Sequence, residues 1–68
     1  MNTYEIGRKA GRIWEYLYLN GECSIAELKK KLKMNNKDLY LALGWISRED
    51  KIAFYEKEGE QFVFLLYI

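Results

Sequence analysis

The chain has 68 residues but only one cysteine, Cys23, and no histidine. An internal disulfide bond needs two cysteines, and the Cys2His2 zinc site of many small domains needs histidine. Domains of this size bury only about 60% of the surface of the unfolded chain, so they usually depend on such a cross-link or on a partner subunit. This chain must therefore be held together by its apolar residues, which are 50% of the total. With a disulfide bond and such a zinc site excluded, contact with a second protein is the remaining source of additional stability.

The same inventory excludes most catalytic arrangements. Without histidine, neither a Ser-His-Asp triad nor a Cys-His pair can form. The five glycines are scattered, so the chain lacks the glycine-rich loops that bind nucleotide phosphates. We therefore expect no enzymatic activity, no metal ion and no other cofactor.

The sequence also favours a cytoplasmic protein over a membrane protein. The longest apolar run, residues 62–68, is much shorter than the ~20 residues of a membrane span. No apolar segment typical of an export signal follows Met1. An unpaired cysteine is typical of a reducing compartment.

The first third of the chain has the periodicity of an amphipathic helix. Apolar residues recur at a spacing of 3.6 residues at Ile6, Ala10, Ile13 and Leu17. Thr3 is a candidate N-cap, and Asn20-Gly21 is a typical stop signal. Gly7 and Gly11 lie four residues apart on one side of this helix, and they favour a close contact with another helix.

A second and a third helix follow, each with a clear start. Ser24 and Glu27 have the spacing of a capping box, in which the serine oxygen accepts a hydrogen bond from a backbone N–H three residues later. Asn35 and Asp38 repeat that geometry with shorter side chains. A three-residue turn separates the two helices. Residues 24–49 therefore predict a helix-turn-helix.

The remaining residues predict a β-hairpin. Residues 51–55 have a strand-like composition, with Ile52 and Phe54 on one face. Residues 56–60 form a charged turn in which Gly59 is available for a positive φ. The returning strand is apolar on both faces. One face carries Phe62, Phe64, Leu66 and Ile68, and the other carries Val63, Leu65 and Tyr67.

This order of elements is that of a winged helix-turn-helix domain. The run LYLALGWISREDKI, residues 39–52, resembles the end of the third helix and the entry into the wing of such domains. Residues 10–14 and 20–22 fit the same pattern, and the chain is most similar to a family of short, stand-alone bacterial winged helix-turn-helix proteins of uncharacterised function. The resemblance implies a single α+β domain over residues 1–68, with three helices plus a C-terminal β-hairpin wing. It implies no particular activity. Asp50 stands where glycine is common before the wing, but aspartate tolerates the left-handed conformation.

Two functions stay open, and the first is double-stranded DNA binding by a transcription-associated regulator. In winged-helix DNA readers, the third helix enters the major groove and neighbouring elements hold phosphates. Residues 1–37 carry 8 basic and 4 acidic residues, whereas residues 38–68 carry 3 basic and 6 acidic residues. The candidate nucleic-acid-binding residues are Lys29, Lys30, Lys31, Lys33, Asn36, Lys37 and Arg48.

Other features weaken the DNA hypothesis. Lysines near a helix C-terminus complement the helix dipole and are commonly just solvated. Glu56, Glu58 and Glu60 at the wing tip would repel a phosphate backbone. The net charge of +1 lacks the basic excess of a dedicated DNA-binding protein.

The second function is that of a protein interaction module, a homodimer without nucleic-acid binding. On a helical wheel, Leu41 lies opposite the predicted core residues of the third helix, and Trp45 lies at the margin of that face. The returning strand also has an apolar face to spare. The candidate interface residues are Leu41, Trp45, Val63, Leu65 and Tyr67. In the alternative, aromatic residues of the first helix cover that strand face within one chain.

Cys23 is predicted to be a small, mostly buried apolar residue next to the cap of the second helix. The alternative, a redox switch, would need an exposed thiol with a lowered pKa.

Overall fold

A computed structural model of the chain describes residues 2–66. In chain order its elements are α1 (Thr3–Asn20), β1 (Cys23–Ser24), α2 (Ile25–Leu32), α3 (Asn36–Arg48), β2 (Ile52–Lys57) and β3 (Glu60–Leu65). The strands form an antiparallel sheet in the order β1-β3-β2. The predicted α+β winged helix-turn-helix, with three helices followed by a β-hairpin wing, is confirmed.

Both ends of α1 are set by local hydrogen bonds. The predicted cap, Thr3, is already helical, so that prediction is wrong. Asn2 caps the helix instead, because its side-chain oxygen accepts a 2.9 Å hydrogen bond from the Glu5 N–H. The helix ends at Gly21 as predicted, where φ is 82° and the N–H donates to the Leu17 carbonyl. Glycine adopts this positive φ without steric cost. Within residues 2–66 we find no helix that combines the length and apolar character needed to cross a membrane.

The two predicted caps of the helix-turn-helix are confirmed. The Ser24 hydroxyl oxygen accepts a 3.0 Å hydrogen bond from the Glu27 N–H, and the Asn35 side-chain oxygen accepts a 2.8 Å bond from the Asp38 N–H. Each bond satisfies a donor that the first helical turn leaves free. Lys33, at φ 54°, ends α2 in the left-handed conformation. The turn to α3 therefore has the predicted length of three residues.

The core lies between the helices and the inner face of the sheet. Each helix contributes its predicted apolar side, and the sheet contributes residues from all three strands. Its most deeply buried large side chains are Ile13, Leu17, Leu28, Leu39 and Val63. Because every helix and strand contributes side chains, the described residues share one core.

The face of β3 that points into the core is the one predicted to form an interface. Val63 and Leu65 are only 0% and 8% exposed, so their assignment to a protein interface is wrong. They complete the core of the same chain. Tyr67, the third residue predicted on that face, lies outside the described residues, as does Ile68. The opposite face of the strand carries Phe62 and Phe64.

The wing turn is tighter than predicted. β2 and β3 continue to Lys57 and Glu60, so only Glu58 and Gly59 connect them. Both connecting residues have positive φ, 53° and 81°, as in the type I′ turn that suits the twist of a hairpin. The expected positive φ of Gly59 is confirmed. Asp50 also adopts the left-handed conformation expected of it, at φ 57°.

Gly7 and Gly11 do not make the predicted close helix contact within the chain. A Cβ atom added at either position would meet no atom within 4 Å. The two glycines instead line an open groove of about 250 Å³ between α1 and the end of α3. Trp14, Trp45 and Glu49 also line this groove. The prediction of close packing is therefore wrong, because the glycines leave space unfilled.

Candidate nucleic-acid interface

Five exposed lysines surround the turn that joins α2 to α3. Lys29, Lys30 and Lys31 occupy the last turn of α2, Lys33 is its left-handed C-cap, and Lys37 lies in the first turn of α3. We call these five residues the junction lysines. Successive residues of a helix point in directions about 100° apart, so the three lysines of α2 spread over the sides of the helix that the core does not cover. The result is a basic surface around the turn.

One open groove brings predicted residues from both helices together. Lys29 of α2 and Asn36 of α3 line a groove of about 390 Å³ beside the wing. Tyr40, which is 59% exposed, and Gln61 also line it. Glu60 lies in the same groove and contributes a carboxylate on the wing side.

The solvent-facing side of α3 changes character along the helix. Asn36 and Lys37 are exposed at its start, followed by exposed Tyr40 and Leu41. A second open groove, of about 350 Å³, separates this helix from β2 and has Phe54 on its far side. The polar side chains that suit contact with base edges therefore lie at the two ends of α3. Asn36 and Lys37 are at its start, and Ser47 and Arg48 are at its end.

Arg48 does not join this surface. It lies at the opposite end of α3 from Lys37, about 16 Å further along the helix axis at 1.5 Å per residue. Its guanidinium carbon lies 5.7 Å from the ring centroid of Trp45, within the range of a cation–π contact. The structure thus separates Arg48 from the other predicted nucleic-acid-binding residues.

Two basic residues of α1 that were not predicted to belong to the site reach the same junction. Arg12 donates a 2.9 Å hydrogen bond to the Leu32 carbonyl at the end of α2. Lys9 forms an ion pair with Asp38 in the first turn of α3. These partners lie 20 and 29 positions away along the chain, so no local spacing indicates the contacts. Lys9 therefore compensates an acidic group that lies close to the junction lysines.

The wing has the opposite charge. Glu56, Glu58 and Glu60 are all exposed, and Lys57 is paired in register with Glu60. Because like charges repel, this tip is a poor surface for phosphates. The electropositive surface is therefore on the α2–α3 side of the molecule.

Two tyrosines donate hydrogen bonds to the glutamates on either side of β1, Glu22 and Glu27. The Tyr16 hydroxyl donates a 3.1 Å hydrogen bond to Glu27, and the Tyr55 hydroxyl donates one to Glu22. Burial, together with the bond to Glu27, raises the pKa of Tyr16 above its ordinary value. The hydrogen bond to Glu22 is the main cause of the raised pKa of Tyr55. Both phenols therefore remain neutral donors at physiological pH and hold neighbouring elements together.

Comparison with known proteins gives the same fold. Residues 1–65 match the family described as winged helix-turn-helix domain (DUF2582). The chain belongs to this family. An uncharacterized protein of Methanocaldococcus jannaschii, MJ1608, is 37% identical over 65 residues, which cover 91% of this chain and 90% of the relative. The predicted resemblance to winged helix-turn-helix proteins of uncharacterised function is confirmed, whereas a bacterial origin stays a prediction.

A solved structure supports the same assignment. The solution NMR structure of protein BT2368 from Bacteroides thetaiotaomicron matches with a TM-score of 0.83 and 31% identity. The match covers 96% of this chain and 79% of the other. Neither relative has a name that states a function. The winged helix-turn-helix family thus identifies the fold, and the activity has to be inferred from the surface.

Among the predicted interface residues that the structure describes, two remain at the surface. Leu41 is 42% exposed on α3, and Trp45 is half-buried against the core on the wall of the α1–α3 groove. The two lie on the same side of α3, one helical turn apart.

Proposed function

We propose that this protein binds double-stranded DNA as a transcription-associated regulator, through the α2–α3 junction. The observation that carries the proposal is the exposure of the five junction lysines around the first turn of α3. Ammonium groups on such a surface neutralise phosphates and release counterions. The N-terminus of α3 adds its own partial positive charge on the same side.

In this arrangement the first turns of α3 enter the major groove. Asn36 and Lys37 are the residues that can hydrogen-bond to base edges, while Tyr40 and Leu41 can contact thymine methyl groups. Lys29 and Lys33 then lie beside the phosphate backbone. Because few polar side chains reach the bases, we expect affinity to come mainly from phosphate contacts and sequence preference to be modest.

The acidic wing points to a docking mode that does not depend on the wing. Three exposed glutamates, Glu56, Glu58 and Glu60, would lose energy beside a phosphate backbone. We therefore place Glu56 and Glu58 away from the duplex, while Glu60 lies at the edge of the groove that Lys29 and Asn36 line. If the wing did contact the duplex, changing its charges would change the affinity for DNA.

The salt dependence of binding tests the proposal. Fluorescence anisotropy with a labelled, mixed-sequence duplex of about 20 base pairs should detect binding at about 50 mM salt. With about four phosphates neutralised, the log–log slope of affinity against salt should be near −3.6. A failure to bind the duplex at about 50 mM salt would contradict the proposal.

Matched charge reversals locate the surface. Lys37→Glu and Lys57→Glu change the net charge equally, and both side chains are exposed. Lys37→Glu should weaken binding at least about 10-fold and lower the salt slope, since it removes one contact and adds a repulsive charge. Lys57→Glu, in the wing, should change the affinity by less than about 2-fold. Equal losses would mean that net charge, and not the junction, determines binding. Circular dichroism of both variants checks that the fold is intact.

A further inference from the structure

We infer that a second copy of this chain docks on the exposed side of α1, with the two α1 helices antiparallel. The surface consists of Tyr4, Gly7, Gly11, Trp14 and Tyr18, and we call it the α1 stripe. It shares no residue with the junction lysines, so the inference is independent of the proposed DNA binding.

The α1 stripe has the spacing and exposure of a helix-docking surface. Its residues follow one another at intervals of three and four, as do the a and d positions through which two helices meet. Tyr4, Trp14 and Tyr18 are 72%, 41% and 58% exposed. The rings of Trp14 and Tyr18 stack on each other with centroids 5.1 Å apart. The residues of α1 that contact the core, Ala10, Ile13 and Leu17, lie on a different side of the helix. Thus α1 has two apolar sides, and the core of the chain covers one.

The α1 stripe has an unfilled groove at its two glycines as well as projecting aromatic rings. Gly7 and Gly11 line the open α1–α3 groove of about 250 Å³, together with Trp45. Apolar cavities of about 150 Å³ accept benzene, so this groove has room for the larger ring system of tryptophan. Glu49 at the edge of the groove offers an acceptor for an indole N–H.

The order of large and small residues favours a second copy of the same helix. A two-fold axis near Gly11 places Trp14 of each copy over the partner's Gly7, and Tyr4 beside the partner's Tyr18. Each Trp14 ring then meets an empty position, and the symmetry makes this contact twice. A parallel pair would instead place tryptophan on tryptophan and glycine on glycine.

The flanking charges favour the same direction. Arg8 and Glu15 are both exposed and lie next to the stripe on its solvent side. In an antiparallel pair, Arg8 comes beside the partner's Glu15, and the symmetry repeats the contact. In a parallel pair, the two residues would lie on opposite sides of the interface and this contact would be lost. Size and charge thus agree on one orientation.

The available area predicts a weak dimer. A fully buried aromatic side chain removes 150–250 Å² from water. Exposed Leu19 lies one helical turn after Glu15 on the flank of the stripe, and the exposed parts of the three rings and of Leu19 in two copies amount to about 1,000 Å². Stable interfaces bury about 1,200–2,000 Å² in total. We therefore expect dissociation in the micromolar range.

Sedimentation equilibrium of the whole chain between about 1 and 300 µM tests the inference over this range of affinity. The mass should rise from the 8.2 kDa monomer to twice that value. Gly7→Leu fills the position that the partner's Trp14 needs, and this variant should stay monomeric throughout. Gly44→Leu is the matched control, because Gly44 is also helical with no atom within 4 Å of an added Cβ, but lies outside the stripe. The control should dimerise like the original chain. Either change replaces a helical glycine by a better helix former, so unfolding does not explain a monomeric Gly7 variant.

Charge exchange tests the orientation. Arg8→Glu and Glu15→Arg should each weaken the dimer at least about 5-fold, and the double variant should restore it, because only opposite charges then face each other. A chain that is monomeric at about 300 µM would overturn the inference. So would a dimer that survives Gly7→Leu, since the contact surface would then lie elsewhere. Failure of the double variant to recover would overturn the antiparallel arrangement.

Discussion

Lys9 of α1 and Asp38 of α3 form an ion pair that connects the two helices. Their side chains are only 29% and 20% exposed, so the pair is partly shielded from solvent. Asp38 lies in the first turn of α3, where the helix dipole favours a negative charge. This pair therefore helps to fix the orientation of the helix that we propose to enter DNA.

A double-mutant cycle should detect this contact. We expect Asp38→Ala to lower the free energy of unfolding by about 1–2 kcal/mol, because it removes both the ion pair and the favourable dipole interaction. Lys9→Met should cost about 1 kcal/mol or less. Urea unfolding of both single variants and the double variant should give a coupling energy of about 0.5–1 kcal/mol, reduced in 1 M salt. Lys30→Met, at an exposed position, is the control and should be nearly neutral. A coupling energy of zero at low salt would contradict the prediction.

Neighbouring leucines at the end of β3 should differ in their effect on stability. Leu65 is 8% exposed within the core, whereas Leu66 is 39% exposed. Leu65→Ala should cost about 2–4 kcal/mol, since it leaves a cavity among packed side chains. Leu66→Ala should cost less than about 1 kcal/mol. Chemical unfolding of the two variants measures the difference. The reverse order would show that the faces of the strand are exchanged.

The helix-turn-helix could be predicted because its signals are local. Ser24 and Asn35 cap their helices through hydrogen bonds to N–H groups three residues later, so the residue types and spacing are sufficient. Gly21 likewise needs only its own positive φ to end α1. The hairpin could also be predicted, from two strand-like runs and the charged turn at Gly59, and the family resemblance identified it as a wing.

The face of β3 could not be predicted, because both faces are apolar. Alternation identifies two sets of residues but not the one that meets the helices. The contact of Lys9 with Asp38 spans 29 positions, which no local pattern encodes. For the site, the lysine-rich composition identified the basic surface, and the helical rise between Lys37 and Arg48 already implies that Arg48 is remote from it.

The wing turn offers a change that should stabilise the fold. Glu58 adopts a φ of 53° in the first position of a two-residue turn, which favours asparagine followed by glycine. Glu58→Asn should therefore raise the free energy of unfolding by about 0.5–1 kcal/mol, or several degrees in melting temperature. Gly59→Ala should have the opposite effect, since alanine disfavours a φ of 81°. Glu56→Asn removes the same charge from a residue within β2 and serves as the control. If it stabilises the protein as much as Glu58→Asn, charge repulsion and not backbone conformation is the cause.

Cys23 is buried, which confirms the prediction of a small apolar residue and disfavours a redox switch. It is 5% exposed and lies opposite Val63 in the pairing of β1 with β3. Burial, with a smaller contribution from the charge of Glu27, raises the pKa of the thiol from its ordinary 9.0 to about 11. Because the thiolate is the nucleophile, the folded protein should react with alkylating and disulfide reagents only when it unfolds.

The raised pKa of Cys23 also predicts how stability changes in alkaline solution. The thiol of the unfolded chain loses its proton near pH 9.0, whereas that of the folded chain does so near about 11. Stability from the neutral buried thiol is therefore fully present below pH 9 and falls as the pH approaches 11, by at most about 2.7 kcal/mol. Cys23→Ala removes this contribution but keeps Tyr16 and Tyr55, whose pKa values are also raised. Urea unfolding at pH 8, 10 and 11 should thus show a smaller loss of stability for the variant than for the original chain. Equal losses of stability in the two proteins would mean that the thiol has the same pKa in the folded and unfolded states.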